Sequence, residues 1–177
     1  MPESRKIIKP DTKIAAFFGS PRKNGFSSRL HEAVLSAAHD QVRRFYIHEM
    51  KILPCTGCGH CRSQISCIHN DDMNEIYDAV LSSSILSFSF PLYFSSIPGP
   101  LKTMIDRFQP FWEAARREEY PACGQTASVF ITAGSRYKDM FLPSTTIIRH
   151  LMNSIHGTFS SERSIYCSNL DGEDGQA

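Results

Sequence analysis

Apolar residues are grouped along the chain in short blocks, and their spacing changes from block to block. Lys13-Ile14-Ala15-Ala16-Phe17-Phe18 is a brief apolar run closed by Gly19, the length of a strand buried on both faces. From Ser27 the period becomes helical: Leu30, Ala33, Val34, Ala37 and Ala38 fall at i, i+3, i+4, i+7 and i+8, one helical face. Val42 to Ile47 predicts a second strand. Residues 50–70 hold four Cys, two Gly and a Pro and predict irregular backbone. Asp72 and Glu75 have capping-box spacing ahead of Met73, Ile76, Tyr77, Val80 and Leu81, again one helical face. Ile85 to Phe90 predicts a third strand, rich in Ser. Pro98-Gly99-Pro100 opens a helix with Leu101, Met104, Ile105 and Phe108 on one side, which Pro110 is expected to kink or end. Thr126 to Thr132 predicts a fourth strand. Pro143 is placed to be the first residue of a helix whose Ile148, Leu151, Met152 and Ile155 face inward. Ser164 to Cys167 predicts a short fifth strand.

Five strands alternating with helices predict an α/β domain, one parallel sheet with helices on both faces and right-handed crossovers. The flavodoxin-like doubly wound order 2-1-3-4-5 and a Rossmann order satisfy the periodicity equally, so the loops have to decide. At 177 residues the chain predicts one domain. It divides into a lead-in at 1–12, the domain at 13–170 and a Gly- and acid-rich tail at 171–177 that is expected to be mobile.

Charge narrows the partners. A formal net charge of +1 gives no basic excess to draw the chain to nucleic acid or an acidic membrane. No apolar run approaches the roughly 18 residues of a membrane span. Met1-Pro2-Glu3-Ser4-Arg5-Lys6 leads into no apolar signal region, so a cytoplasmic protein is expected. Disulfides rarely persist there, and six Cys therefore ask for a metal, a redox role or burial.

The first strand runs into Gly19-Ser20-Pro21-Arg22-Lys23-Asn24-Gly25-Phe26-Ser27-Ser28 and then a helix. Hydroxyls, an amide, an Arg and a helix N-terminus on one loop suit a phosphate, with Ser20, Arg22, Asn24, Ser27 and Ser28 as candidate donors. The loop has neither the Walker A pattern nor G-x-G-x-x-G, so a phosphate monoester fits better than a pyrophosphate. A Ser-rich turn capped by Ser27 is the plainer reading.

Cys55, Cys58, Cys61 and Cys67 form C-x2-C-x2-C-x5-C. Thiolates are soft ligands, and the first three repeat the spacing of bacterial ferredoxins. The fourth follows after five residues, so one short loop would supply all four ligands, with Gly57 and Gly59 letting the backbone curl. A structural zinc, with His60 or His69 as substitute ligands, and an unmetallated loop stay open on spacing alone. His60 and His69 also read as exposed loop residues. Cys123 and Cys167 lie outside the pattern and read as ordinary buried or edge thiols.

Three segments carry a resemblance. Gly19-Ser20-Pro21-Arg22-Lys23-Asn24-Gly25 resembles the phosphate loop of flavodoxin-like NAD(P)H-dependent FMN reductases. The run from Phe90-Pro91-Leu92-Tyr93-Phe94 through Pro98-Gly99-Pro100-Leu101 to Ile105-Asp106-Arg107 resembles their second flavin loop and its helix. The cysteine segment is similar to the iron-sulfur flavoprotein branch. Ser89-Phe90 and Phe26 depart from the family pattern, which has Gly-Ser and a small or polar residue there.

The resemblance implies FMN, with Pro91, Leu92, Tyr93 and Phe94 lining the isoalloxazine and Ala133 and Gly134 at its pyrimidine edge. It implies a [4Fe–4S] cluster on the four cysteines, NAD(P)H as an electron donor, and ferredoxin or a small-molecule electron acceptor as partner. It also implies homodimers or homotetramers, for which Phe108-Gln109-Pro110-Phe111-Trp112 offers apolar area. Tyr137 and Trp112 read as part of the cofactor mouth, as interface or as plain packing. No protein nucleophile or general base is assigned, because a flavin carries the chemistry itself. The leading expectation is an FMN-dependent oxidoreductase coupled to a [4Fe–4S] cluster. The alternatives are a cluster-free NAD(P)H-dependent FMN or quinone reductase, a non-catalytic flavodoxin-like carrier, and a zinc-stabilised interaction domain.

Overall fold

The structure is a computed structural model and describes residues 12–38, 41–119 and 124–171. The predicted lead-in and tail, and Cys123, therefore lie outside the described residues, apart from Thr12 and Asp171. Strand β1 (Thr12–Phe18) pairs in parallel with β2 (Val42–Tyr46) on one side and β3 (Ser83–Pro91) on the other. Strand β4 (Thr126–Thr132) follows β3, also in parallel, giving the order β2-β1-β3-β4 and then the fifth position. This is the flavodoxin-like order 2-1-3-4-5, with the carboxyl ends of β1, β3 and β4 side by side.

The fifth position is split. Short strands β5 (Thr158–Phe159) and β6 (Ile165–Cys167) both pair with β4, at its two ends. Between them the Ser164 hydroxyl accepts the Val129 N–H and donates to the Ser160 carbonyl, at 3.1 and 2.7 Å. A side chain thus fills one rung of the ladder, and the single strand expected at 164–167 is only the second half of that edge.

Helices cover both faces. The larger core gathers α2 (Met73–Ser82), α3 (Gly99–Asp106), α4 (Gln109–Arg116) and α5 (Leu142–Ser154) around Phe17, Leu86, Phe88, Val129 and Ile131. Helix α1 (Phe26–Ser36) covers the other face over Ile14, Ala16 and Phe18. No helix of the described residues is long and apolar enough to cross a membrane.

Three local expectations are corrected. The buried side of α1 carries Ser27, Ser28, His31 and Leu35, while Ala33, Val34 and Ala37 face outward. The reason is β3: the face that α1 covers presents Ser87 and Ser89, and the His31 ring meets Ser87 Oγ at 2.8 Å. The Asp72 side chain does not cap α2. It accepts the Lys51 N–H at 2.7 Å, and Asp71 takes the Met73 N–H at 3.1 Å instead. Pro110 does not kink a long helix. Helix α3 ends at Asp106, and Pro110 sits in the first turn of α4, where its missing N–H costs no helical bond. Pro143 likewise falls in the first turn of α5, one residue inside its start.

Candidate functional site

The loops after β1, β3 and β4 meet at the carboxyl end of the sheet. The Gly19 N–H donates to Ser89 O at 2.7 Å, and the Leu92 N–H donates to Thr132 O at 2.8 Å. A Cβ on Gly19 would stand 2.7 Å from Leu101 Cδ2, so glycine is what lets α3 close on this loop.

The first loop is a compact knot around one carbonyl. Arg22 O accepts from Ser20 Oγ at 3.0 Å, Ser28 Oγ at 3.2 Å and the Gly25 N–H at 3.0 Å. Ser20 Oγ accepts the Arg22 N–H in return. Ser20, Ser27 and Ser28 are buried, whereas Arg22 and Asn24 are exposed. Gly25 is the N-cap of α1 and gives no side-chain cap, so the first-turn N–H groups face the loop with the positive end of the helix dipole. That arrangement suits a phosphate. Ser27 is not the cap of the plainer reading. Lys23 Nζ is tied to Glu49 at 2.8 Å and lies over the Tyr46 ring, which fixes the loop against the segment after β2.

The second loop turns tightly. Tyr93 and Ser96 exchange two 3.0 Å backbone hydrogen bonds, and Phe94 and Ser95 between them have φ of 50° and 61°. Positive φ at both central positions is the type I′ geometry that normally asks for Asn or Gly. It leaves the Phe94 ring fully exposed and Tyr93 half-exposed. Ser95 Oγ meets Tyr137 OH at 2.6 Å, and Ser144 Oγ donates to Ser95 O, so the second loop is laced to the third. A cavity of about 190 Å³ opens between them, lined by Leu92, Phe94, Ala133, Gly134, Tyr137 and Met140. Four of the six expected ring residues thus share one cavity. Pro91 and Tyr93 stand beside it, and Met140, buried after the third loop, carried no signal in the sequence. The chain returns over this loop: the Asp171 carboxylate occupies the space a Gly134 side chain would need.

The four cysteines lie on one loop and open on one cavity of about 390 Å³, together with His60 and His69. All four are free thiols. Gly57 and Gly59 take φ of 66° and 80°, the left-handed conformation the loop was expected to need. Burial pushes the Cys61 thiol pKa up. His60 is exposed and contacts Ser66 Oγ, while His69 is half-buried rather than exposed. Among the described residues, no three His, Cys, Asp or Glu groups stand close enough together to hold one metal ion. Thr103, Asp106, Gln109 and Glu113 of α3 and α4 form the opposite wall. Phe108 and Phe111 are buried in the monomer, so of the expected aromatic interface stretch only Trp112 presents a large apolar side chain to solvent.

One feature the sequence did not announce is the Arg107–Asp71 pair. Arg107 is buried and donates from Nη1 to Asp71 Oδ2 at 2.7 Å and from Nη2 to Oδ1 at 3.2 Å. Burial alone would raise the Asp71 pKa, but the hydrogen bonds from Arg107, Leu53 N and Met73 N outweigh it and hold the carboxyl below its ordinary value.

A family model described as NADPH-dependent FMN reductase matches residues 12–144. The chain belongs to the NADPH-dependent FMN reductase family. Among curated proteins, this family member is similar to an iron-sulfur flavoprotein of Archaeoglobus fulgidus, 34% identical over 102 residues that cover 56% of this chain and 46% of that protein. It is similar also to an iron-sulfur flavoprotein of Methanosarcina thermophila, 29% identical over 127 residues, 70% of this chain and 64% of that one. The chain thus spans about half to two thirds of the length of these relatives. The branch read from the cysteine loop is the one these relatives represent. Among solved structures, an apo NADH:FMN oxidoreductase (EmoB) is similar with a TM-score of 0.59 and 22% identity, over 92% of this chain and 81% of that chain. An NAD(P)H:quinone oxidoreductase from Methanothermobacter marburgensis has a TM-score of 0.63 and 18% identity, over 92% and 86%. These two likenesses speak to the flavodoxin-like FMN reductase fold.

Proposed function

We propose that this member of the NADPH-dependent FMN reductase family is an FMN-dependent oxidoreductase whose cysteine loop holds a [4Fe–4S] cluster. One observation carries the reading: the four thiols of C-x2-C-x2-C-x5-C line a single cavity walled by α3 and α4, and Leu101 of α3 packs against Gly19 of the first loop.

The residues present fit both groups in kind. The uncapped α1 N-terminus, with Ser27 in its first turn, suits the FMN phosphate. Leu92, Phe94, Ala133 and Gly134, with Ser95, Ser135 and Tyr137, line the cavity between the second and third loops that would take the ring. Four free thiols on a glycine-hinged loop suit iron and sulfide. When bound, FMN would accept two electrons from NAD(P)H and the cluster would pass them on one at a time, in two transfers, to a ferredoxin or a small-molecule acceptor. The chain's part is to bind and orient: the α1 N-terminus would hold the phosphate, Ser20 and Ser28 hold the loop that presents it through Arg22 O, and the Ser95–Tyr137 lacing fixes the spacing of the ring walls. The exposed Phe94, Tyr93 and Tyr137 beside the ring cavity favour a homodimer or homotetramer that covers it.

Iron and acid-labile sulfide analysis after anaerobic reconstitution, with FMN content from the visible spectrum, tests the reading. Four irons per chain are expected, and Cys→Ala at positions 55, 58, 61 or 67 should lower the iron. Stoichiometric iron that survives all four substitutions sinks the assignment. Zinc without iron assigns the loop to a structural metal. FMN with NAD(P)H oxidation and no metal leaves a cluster-free reductase.

A further inference from the structure

The cysteine loop is held at two points by guanidinium groups that the flavin site does not use. At its base, Arg107 Nη1 donates to Leu53 O and to Asp71 Oδ2, both at 2.7 Å. Leu53 precedes the first cysteine and Asp71 follows the last. Asp71 completes the closure by accepting the Leu53 N–H at 2.9 Å. One buried fork therefore ties the two ends of the loop together. Nearer the tip, Arg117 Nη1 donates to Cys61 O at 3.1 Å and to Arg62 O at 2.7 Å, while its Nε is oriented by Glu119 at 2.8 Å. Arg107 follows the last residue of α3 and Arg117 caps the end of α4, so both reach the loop from rigid elements. Segment 54–70 hangs between them.

Both sites are of the kind that arginine serves and lysine does not. Arg107 lays its fork on the Asp71 carboxylate, and Arg117 holds two carbonyls through Nη1 while Nε is set by Glu119. Arg107 Nε and Arg117 Nη2 remain buried with no hydrogen-bond partner among the described residues, so each guanidinium keeps an uncommitted donor. Arg107 also lies within electrostatic reach of Cys67, the cysteine set five residues apart from the others. The two guanidinium groups, each paired with a carboxylate, thus stand behind the loop rather than in its cavity, whose wall carries Arg62, Asp106 and Glu113, and a cluster bound there through thiolates would be anionic.

We propose that Arg107 and Arg117 are positioning residues of the cysteine loop: Arg107, through Asp71, closes its base, and Arg117 fixes the Cys61 arm, so that four thiols face one cavity and two guanidinium charges stand behind the loop that would hold the cluster. This rests on the cluster reading for its last clause only; the positioning of the loop does not need a metal.

Arg107→Met leaves Asp71 buried and unpaired and is expected to unfold part of the chain, so Arg117 is the informative position. Full-length wild type, Arg117→Met and Arg117→Lys would be compared. In metal-free protein, hydrogen exchange of amides in 54–70 and alkylation of Cys61 by iodoacetamide are expected to be at least tenfold faster in Arg117→Met, with FMN affinity unchanged. In iron-loaded protein, the cluster midpoint potential is expected to fall in Arg117→Met and to be largely restored in Arg117→Lys. A tenfold weaker relative affinity for the reduced cluster corresponds to about 59 mV for this one-electron couple. Unchanged exchange and alkylation in Arg117→Met overturn the proposal whatever the metal content. Equal potentials in loaded wild type and Arg117→Met overturn its electrostatic half. Wild type that takes up no iron while the exchange difference persists overturns the cluster reading and supports the positioning of the loop.

Discussion

His31 has no exposed surface and lies between Phe18 and Phe130, with ring centroids 4.5 and 4.7 Å away. Burial, with a smaller push from Arg44, lowers its pKa to about 3, so the ring stays neutral in the fold. An unfolded His titrates near 6.5. Between those values the unfolded chain binds a proton that the folded chain refuses, so His31 erodes stability as pH falls from about 6.5 to about 3. The slope inside that window is about 1.4 kcal/mol per pH unit. Urea unfolding at a series of pH values should show His31→Gln losing stability less steeply than wild type between about pH 6 and 4. Arg22 is a different kind of residue, exposed on a loop whose backbone is already satisfied by its own hydroxyls. Arg22→Ala is expected to leave the apo fold intact and weaken FMN binding by about 1.5–3 kcal/mol, the range of a charged hydrogen bond. Flavin titration of the apoprotein measures this, and unchanged affinity removes Arg22 from the site.

Among the elements, the turn at residues 93–96 stores strain. Phe94 and Ser95 hold positive φ without the glycine that relieves it, and Phe94 gains no burial in return. Such strain persists where a ligand or partner uses the conformation. Phe94→Gly should raise apoprotein stability by about 0.5–1 kcal/mol, seen in thermal unfolding, and weaken flavin binding in the same titration. The strand pattern was legible wherever apolar runs end in Gly or Pro, as at β1 and β4, and α5 buries the four residues that its period predicted. The α1 face was not legible, because periodicity counts Ser and His as polar while a Ser-rich strand can bury them by mutual hydrogen bonding. Helix α4 was hidden because Pro110 reads as a breaker when it is in fact a first-turn residue. In the site, loop motifs pointed to Leu92, Phe94, Ala133 and Gly134, which share the cavity between the second and third loops, and to the four thiols that share another. Arg107, Arg117 and Met140 act at sequence distances that no local spacing reveals.

At the scale of the whole molecule, the flavin loops and the cysteine loop stand on the same helix yet share no lining residue. Linkage then makes a separable prediction. FMN at about 100 times its dissociation constant should stabilise the fold by about 2.7 kcal/mol. Cys55→Ser should leave that increment unchanged in a chemical-denaturation series with and without FMN, whereas a smaller increment would mean that the two sites are structurally coupled. The split fifth strand has a consequence of another kind. A long, flat sheet margin is a template on which neighbouring molecules add strands and grow into fibres. Here that margin is cut into two short pieces by the Ser164 rung. On the opposite margin, β2 carries Arg43 and Arg44, each engaged with a glutamate of a neighbouring helix. Strand addition meets a gap at one end of the sheet and a charged fence at the other, so the native chain carries its own guard against fibrillar self-association.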